Sequence, residues 1–311
     1  MFKKNKQEEI QDEVSKINSI SKKSNIIINI IVGLLAVASV LPFIFVVIIS
    51  FTSEASLKTN GYKFIPEEWS LEAYKYVFES GTQIFKSYGV TILVTILGTL
   101  LGLFLISTYA YVISRRSFKY NKFFTMVAFI PMLFSGGMVS SYLVMTRLLP
   151  FKNTIWALIF PLCMNTFYII VLRTFFKTSV PDALLESARI DGASEWRTFF
   201  KIVLPISLPG MATIALFLTL GYWNDWFSAM LYIDKNDLIP LQYLLIKIEN
   251  SIEFIANNSA QMGVAANGIA ELPKETSKMA MVVLSTAPII FAYPFFQRYF
   301  VNGLTIGAVK E

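Results

Sequence analysis

Six stretches of this chain are apolar for long enough to cross a lipid bilayer, and that leaves few architectures open. They lie near residues 25–51, 88–113, 123–146, 154–172, 208–231 and 279–297. A helix needs about 20 apolar residues to span the hydrocarbon core. Within that core each backbone polar group must find its partner inside the protein, so such runs fold as helices. The expected fold class is therefore an all-α membrane protein with six transmembrane helices. The chain is only 15% charged, against about 25% for soluble domains. The first run exceeds the ~7–15-residue core of a signal peptide and has no small-residue cleavage site after it, so it reads as a retained span.

Lysine and arginine set the orientation. With the N-terminus inside, residues 1–24, 114–122, 173–207 and 298–311 carry 17 of the 27 basic residues, and the outer segments carry ten. Counting acids as well, the inner segments net +8 and the outer ones −1. The net charge of +6 is thus a topology signal and an attraction to anionic lipid, not a nucleic-acid surface. The expected domain plan is a cytoplasmic tail at 1–24, a six-span domain at 25–297 and a cytoplasmic tail at 298–311. Outer segments at 52–87 and 232–278 and a loop at 178–207 interrupt the spans.

Several chemistries are excluded. There is no histidine, which removes a histidine base or a histidine-ligated metal. Cys163 is the sole cysteine, so no intrachain disulfide can form. No stretch reads Gly-x4-Gly-Lys-Ser/Thr, so this chain lacks the loop that cradles nucleotide phosphates. No cofactor or metal is expected on it. Local signals mark a turn at Asn60-Gly61, a short helix after Pro66, and a kink at Pro131 and Gly136-Gly137. The outer segment 232–278 is too long for a structureless loop and is expected to contain helix.

One polar loop stands out among the apolar runs. Ser179-Val180-Pro181-Asp182 reads as a helix start, with serine as the cap. Good helix formers continue to Asp191, and Gly192 supplies a stop. A second helix is expected from about Ser194 to Leu204, with Pro205 leading into the fifth span. Ser187 and Ala188 are small and permit close approach by a partner. Leu184, Leu185, Ile190 and Trp196 offer apolar contact, and Glu186 can bond Arg189 or a partner. By residue type alone, an ordinary helical hairpin is equally open.

The spacing in this loop is more specific. Glu186-Ser187-Ala188, then Gly192, then Ile202, Leu204 and Pro205 resembles the coupling-loop motif of bacterial ATP-binding-cassette importers, E-A-A-x3-G-x9-I-x-L-P. It departs from that motif only at Ser187. Further likeness to the carbohydrate-uptake class lies in residues 136–143, in Tyr222-Trp223-Asn224-Asp225-Trp226, in residues 293–300 and in the tail 302–310. The resemblance covers roughly residues 25–311 and implies a MetI-like permease architecture with a cytoplasmic coupling helix. It also implies a second homologous permease, an ATPase subunit dimer that carries ATP and magnesium, an extracellular solute-binding protein and a sugar or oligosaccharide cargo. The ATPase-coupling residues it implies are Glu186, Ser187, Ala188, Asp191, Gly192, Ile202, Leu204 and Pro205.

Asp225 is the only acid inside any apolar run. A carboxylate in the bilayer core costs about 2.5–3.5 kcal/mol unless it faces protein or water. With Tyr222, Trp223, Asn224 and Trp226 it forms a candidate substrate path, since aromatic faces and polar rims suit sugars. An interfacial anchor accounts for the same residues equally well. A permease of this kind for peptides or amino acids is an alternative. A self-sufficient secondary transporter fits less well, because the chain shows no internal repeat and no charged relay.

Overall fold

The computed structural model describes residues 21–79, 81–258 and 273–308. Most of the N-terminal tail, the last residues and the middle of the 232–278 segment lie outside this set. Apart from an isolated antiparallel bridge between Thr52 and Trp69, the described residues form helices and connecting loops.

Three unbroken helices are long and apolar enough to cross a membrane: α1 (Lys22–Ser50), α4 (Thr82–Ser114) and α15 (Lys274–Ala308), the last over Lys274–Pro294. Between the first two sit α2 (Glu54–Asn60) and α3 (Glu72–Phe78), where the sequence signals a turn and a short helix. The third and fourth runs are bent pairs. α5 (Asn121–Leu133) and α6 (Gly137–Leu143, continued by a π-turn to Leu148) meet at 117°. Gly137, at φ +79°, makes this break with a backbone that other residues rarely adopt. α7 (Trp156–Cys163) and α8 (Thr166–Ser179) meet at 51°. Asn165 caps the second of these, accepting from the amide of Phe167 at 2.9 Å.

The fifth run departs from expectation. It is not one helix over 208–231. α12 (Leu208–Trp223) ends at Asn224, and α13 (Phe227–Tyr232) starts afresh. Asp225 is the reason: its carboxylate accepts the amide of Ser228 at 3.1 Å, so it opens the second helix from outside. The outer segment does contain helix, α14 (Leu241–Asn258).

α4 is the axis of the bundle. It has 33 residues and no proline, and it packs against α12, α8 and α7. Small residues permit this closeness, as in other membrane helix contacts. A Cβ on Gly98 would fall 2.5 Å from the ring of Tyr222, and one on Gly102 would meet the Cys163 carbonyl at 3.0 Å. Ile84, Val94, Ile106, Ala110 and Ile113 complete its buried face. α1 packs along α15 and leaves much of its apolar surface uncovered, with Leu34 65% exposed. At the start of α15, the buried Glu54 carboxylate accepts from the Thr276 amide at 3.0 Å and hydroxyl at 2.9 Å. It neutralises the positive helix terminus there.

Candidate functional site

The polar loop folds as two short helices, α9 (Asp182–Ile190) and α10 (Glu195–Thr198). The expected serine cap is not used, since Ser179 is the last residue of α8 and Pro181 holds the cap position. Proline's fixed φ sets the first turn without a side-chain bond. The far end agrees with the sequence reading. Gly192 takes φ +74°, its amide donates to Arg189 O at 3.1 Å, and the amide of Ala193 donates to Ala188 O at 2.9 Å. This is a Schellman closure, which satisfies carbonyls a helix end leaves open. Ser194 then caps α10, accepting from the Arg197 amide at 3.3 Å.

The second helix is not uniform. A π-turn at Phe199–Val203 follows α10, then α11 (Leu204–Ile206). The segment 195–206 stands at 85° to α12, so Pro205 lies just before a corner rather than inside a straight entry. Ile202 is half-buried, Leu204 is half-buried and Pro205 is exposed. Phe199 and Val203 fix the segment to the core.

Glu195 ties this loop to the bundle. Its carboxylate accepts from the Tyr111 hydroxyl at 2.7 Å, on the last turn of α4, and from the Arg189 guanidinium at 3.2 Å. The Tyr111 hydrogen bond, with help from Arg189, holds the Glu195 carboxyl below the usual carboxylate range. Arg189 thus engages Glu195 rather than Glu186. The sequence missed Tyr111 and Glu195 because their pairing spans much of the chain. Leu185 and Ala188 turn inward and are buried. Leu184, Glu186, Ser187, Ile190 and Asp191 face outward with Trp196, which stacks on Phe200. Ile190 is 86% exposed, a large apolar residue held at the tip of a rigid turn.

The aromatic cluster divides. Tyr222 is buried and donates its hydroxyl to Ile159 O at 2.8 Å. Trp223 is buried and its Nε1 donates to Ser285 O at 2.9 Å, joining α12 to α15. Asn224 and Trp226 are exposed and Asp225 is half-buried, so these three remain accessible. The structure brings Gln242 of α14 to Asn224, with Nε2 3.5 Å from its Oδ1. A cavity of about 200 Å³ opens beside it, lined by Gln242, Glu249, Lys278 and Ser285 among others. Lys278 bonds Glu253 at 2.9 Å and Glu249 at 3.3 Å. Sequence reading missed these polar residues, which carry no motif. Among the described residues no cluster suited to a metal ion occurs.

A family model described as a binding-protein-dependent transport system inner membrane component matches residues 114–306, which contain both the loop and the aromatic cluster. Protein LplC of Bacillus subtilis (strain 168) is 40% identical over 272 residues, covering 88% of this chain and 90% of that protein. The polygalacturonan/rhamnogalacturonan transport system permease protein YtcP of Bacillus subtilis (strain 168) is 39% identical over 275 residues, covering 88% and 94%. The crystal structure of a bacterial ABC transporter involved in the import of the acidic polysaccharide alginate contains a chain that is 29% identical. It superposes with a TM-score of 0.74 over 91% of this chain and 99% of that one. The helical architecture and these likenesses agree, and the chain belongs to the family of inner-membrane components of binding-protein-dependent transport systems.

Proposed function

We propose that this chain is the permease subunit of an ATP-driven importer for sugar oligomers, working with a second permease, an ATPase pair and an external solute-binding protein. The observation that carries the coupling role is the lever at 182–206. It is capped at its turn, bonded to α4 through Glu195 and Tyr111, and it presents Leu184, Ile190 and Trp196 outward. A rigid element with an exposed apolar tip is suited to seat in a groove on a moving partner and to pass its motion to the spans. The charge bias of the inner segments supports placing this lever and both termini in the cytoplasm. This chain performs no bond chemistry, and ATP hydrolysis belongs to its partners.

Several relatives carry carbohydrate names, among them YtcP and the arabinooligosaccharides transport system permease protein AraQ of Halalkalibacterium halodurans, 27% identical. A carbohydrate oligomer is therefore the proposed cargo. Asn224, Asp225 and Trp226, with Gln242 nearby, are the proposed contacts, while Tyr222 and Trp223 hold the scaffold.

The test uses the assembled complex in vesicles. Glu186→Lys and Gly192→Pro should each break the link between ATP hydrolysis and uptake, or release the ATPase from the membrane subunits. Normal stoichiometry with normal cargo-stimulated hydrolysis in both variants would overturn the lever reading. Uptake of peptides or amino acids with no response to sugar oligomers would overturn the cargo.

A further inference from the structure

Behind the lever, between α9 and the adjacent ends of α4 and α8, lies a cavity of about 290 Å³. Arg115, Arg116, Lys177 and Arg189 line it, against the carboxylates of Asp182 and Glu186. The positive charge is only partly answered. Arg116 pairs with Asp182 at 3.6 Å and Arg189 with Glu195 at 3.2 Å. Among the described residues neither Arg115 nor Lys177 forms an ion pair. One guanidinium nitrogen of Arg115, Nη1, is buried without a hydrogen-bond partner. A donor left in that condition carries a desolvation cost that an acceptor would relieve.

The Arg115 guanidinium lies 5.5 Å from the centre of the Tyr111 ring, but the carbonyls that close α4 are not what it answers. Those carbonyls are already bonded: Val112 O by the Arg115 amide, and Ile113 O by the side chains of Arg173 and Asn121. Arg173 and Asn121 also line a second space, of about 380 Å³, with Lys122, Met126 and Phe129. Asn121 also donates to Arg115 O at 3.0 Å, so the cavity and this largely apolar groove flank the same short backbone stretch. A cationic pocket beside an apolar groove, at the end of membrane helices, matches a headgroup with its chains.

We propose that the cavity receives the phosphate of an anionic phospholipid whose acyl chains lie along the neighbouring groove. The phosphate would sit among Arg115, Arg116 and Lys177, directly behind the loop. This goes beyond the transport reading and does not depend on which partner grips the loop.

Full-length protein purified in detergent is titrated with phosphatidylglycerol, with phosphatidylethanolamine and with inorganic phosphate, and bound lipid is read by native mass spectrometry. Phosphatidylglycerol should be retained in preference to the zwitterionic lipid, and inorganic phosphate should not displace it. Lys177→Gln should weaken that retention about fivefold, and Arg115→Gln with Lys177→Gln by about 25-fold. Lys177 is exposed, so the single variant keeps the test sound even where the double variant is unstable. Equal retention of the two lipids, unchanged retention in the single variant, or displacement by free phosphate would each overturn the proposal. Because the readout is lipid retention, such a result would leave the coupling reading untouched.

Discussion

Gly98 and Gly192 each favour glycine, for unrelated reasons. Gly192 needs a backbone at φ +74°, and a Cβ there would meet nothing within 4 Å. Gly192→Ala should therefore cost about 1–2 kcal/mol through the backbone alone, and Gly192→Asn less, since asparagine tolerates this region. Gly98 has ordinary helical geometry, but a side chain would strike the Tyr222 ring. Gly98→Val should destabilise by about 1–3 kcal/mol or more by overpacking, and a thermal unfolding series of the purified subunit would rank the variants. The demand on Gly192 was legible in the sequence, because a helix stop is local chemistry. The demand on Gly98 was not, because it comes from a residue far along the chain. The same holds for Asp225, which the sequence marked as unusual. Its bond to the Ser228 amide could not be read without knowing where the helix breaks.

Among elements, the loop at 182–206, the proposed lever, was the most legible. Its first helix and its glycine turn follow from local propensity, whereas the second helix, expected to run evenly to Leu204, is interrupted by the π-turn at Phe199–Val203. The sequence erred on Ser179, because a serine before Val-Pro reads equally as the end of one helix or the cap of the next. It also ran the fifth span too far, because apolar content continues through the break at Asn224. What it could not give is the attachment of the lever to α4. Glu195→Gln keeps the shape but removes the charge that the Tyr111 hydroxyl and Arg189 address, so it should loosen the loop. The pH dependence has a definite sign. The carboxyl of Glu195 sits below its unfolded value of about 4.3. Its contribution is present above that value and is lost as pH falls through the lower, folded one. The stability gap between wild type and Glu195→Gln should then be full near neutrality and close on acidification, as followed by unfolding at a series of pH values. A gap that widened in acid would contradict the arrangement.

Across the whole molecule, the six apolar runs and their order were readable from length alone. The bends in the third and fourth were only partly so, marked by Gly136-Gly137 but not at Asn165, and the 85° corner at Ser207 before the fifth was not marked. The far end from the lever has its own clasp. Gln83 donates to Asn236 O at 2.7 Å and Lys86 pairs with Asp237 at 2.8 Å, both from the first turns of α4. Asn153 accepts from the Asp234 amide at 2.6 Å and the Lys235 amide at 3.2 Å. Asn153→Ala should cost about 1 kcal/mol by leaving those donors to water. Asp237→Asn should change stability little, because exposed ion pairs contribute little. Unfolding temperatures of the two variants would separate these cases.

α4 is therefore grasped at both ends, by Glu195 at one and by residues 236 and 237 at the other. With no proline to hinge it, its 33 residues form a pole about 50 Å long. Swinging such a pole by about 5° about one end carries the other about 4 Å, more than the length of a hydrogen bond. A small tilt at the Glu195 end is thus a displacement at the other end large enough to unfasten the Gln83 and Lys86 contacts.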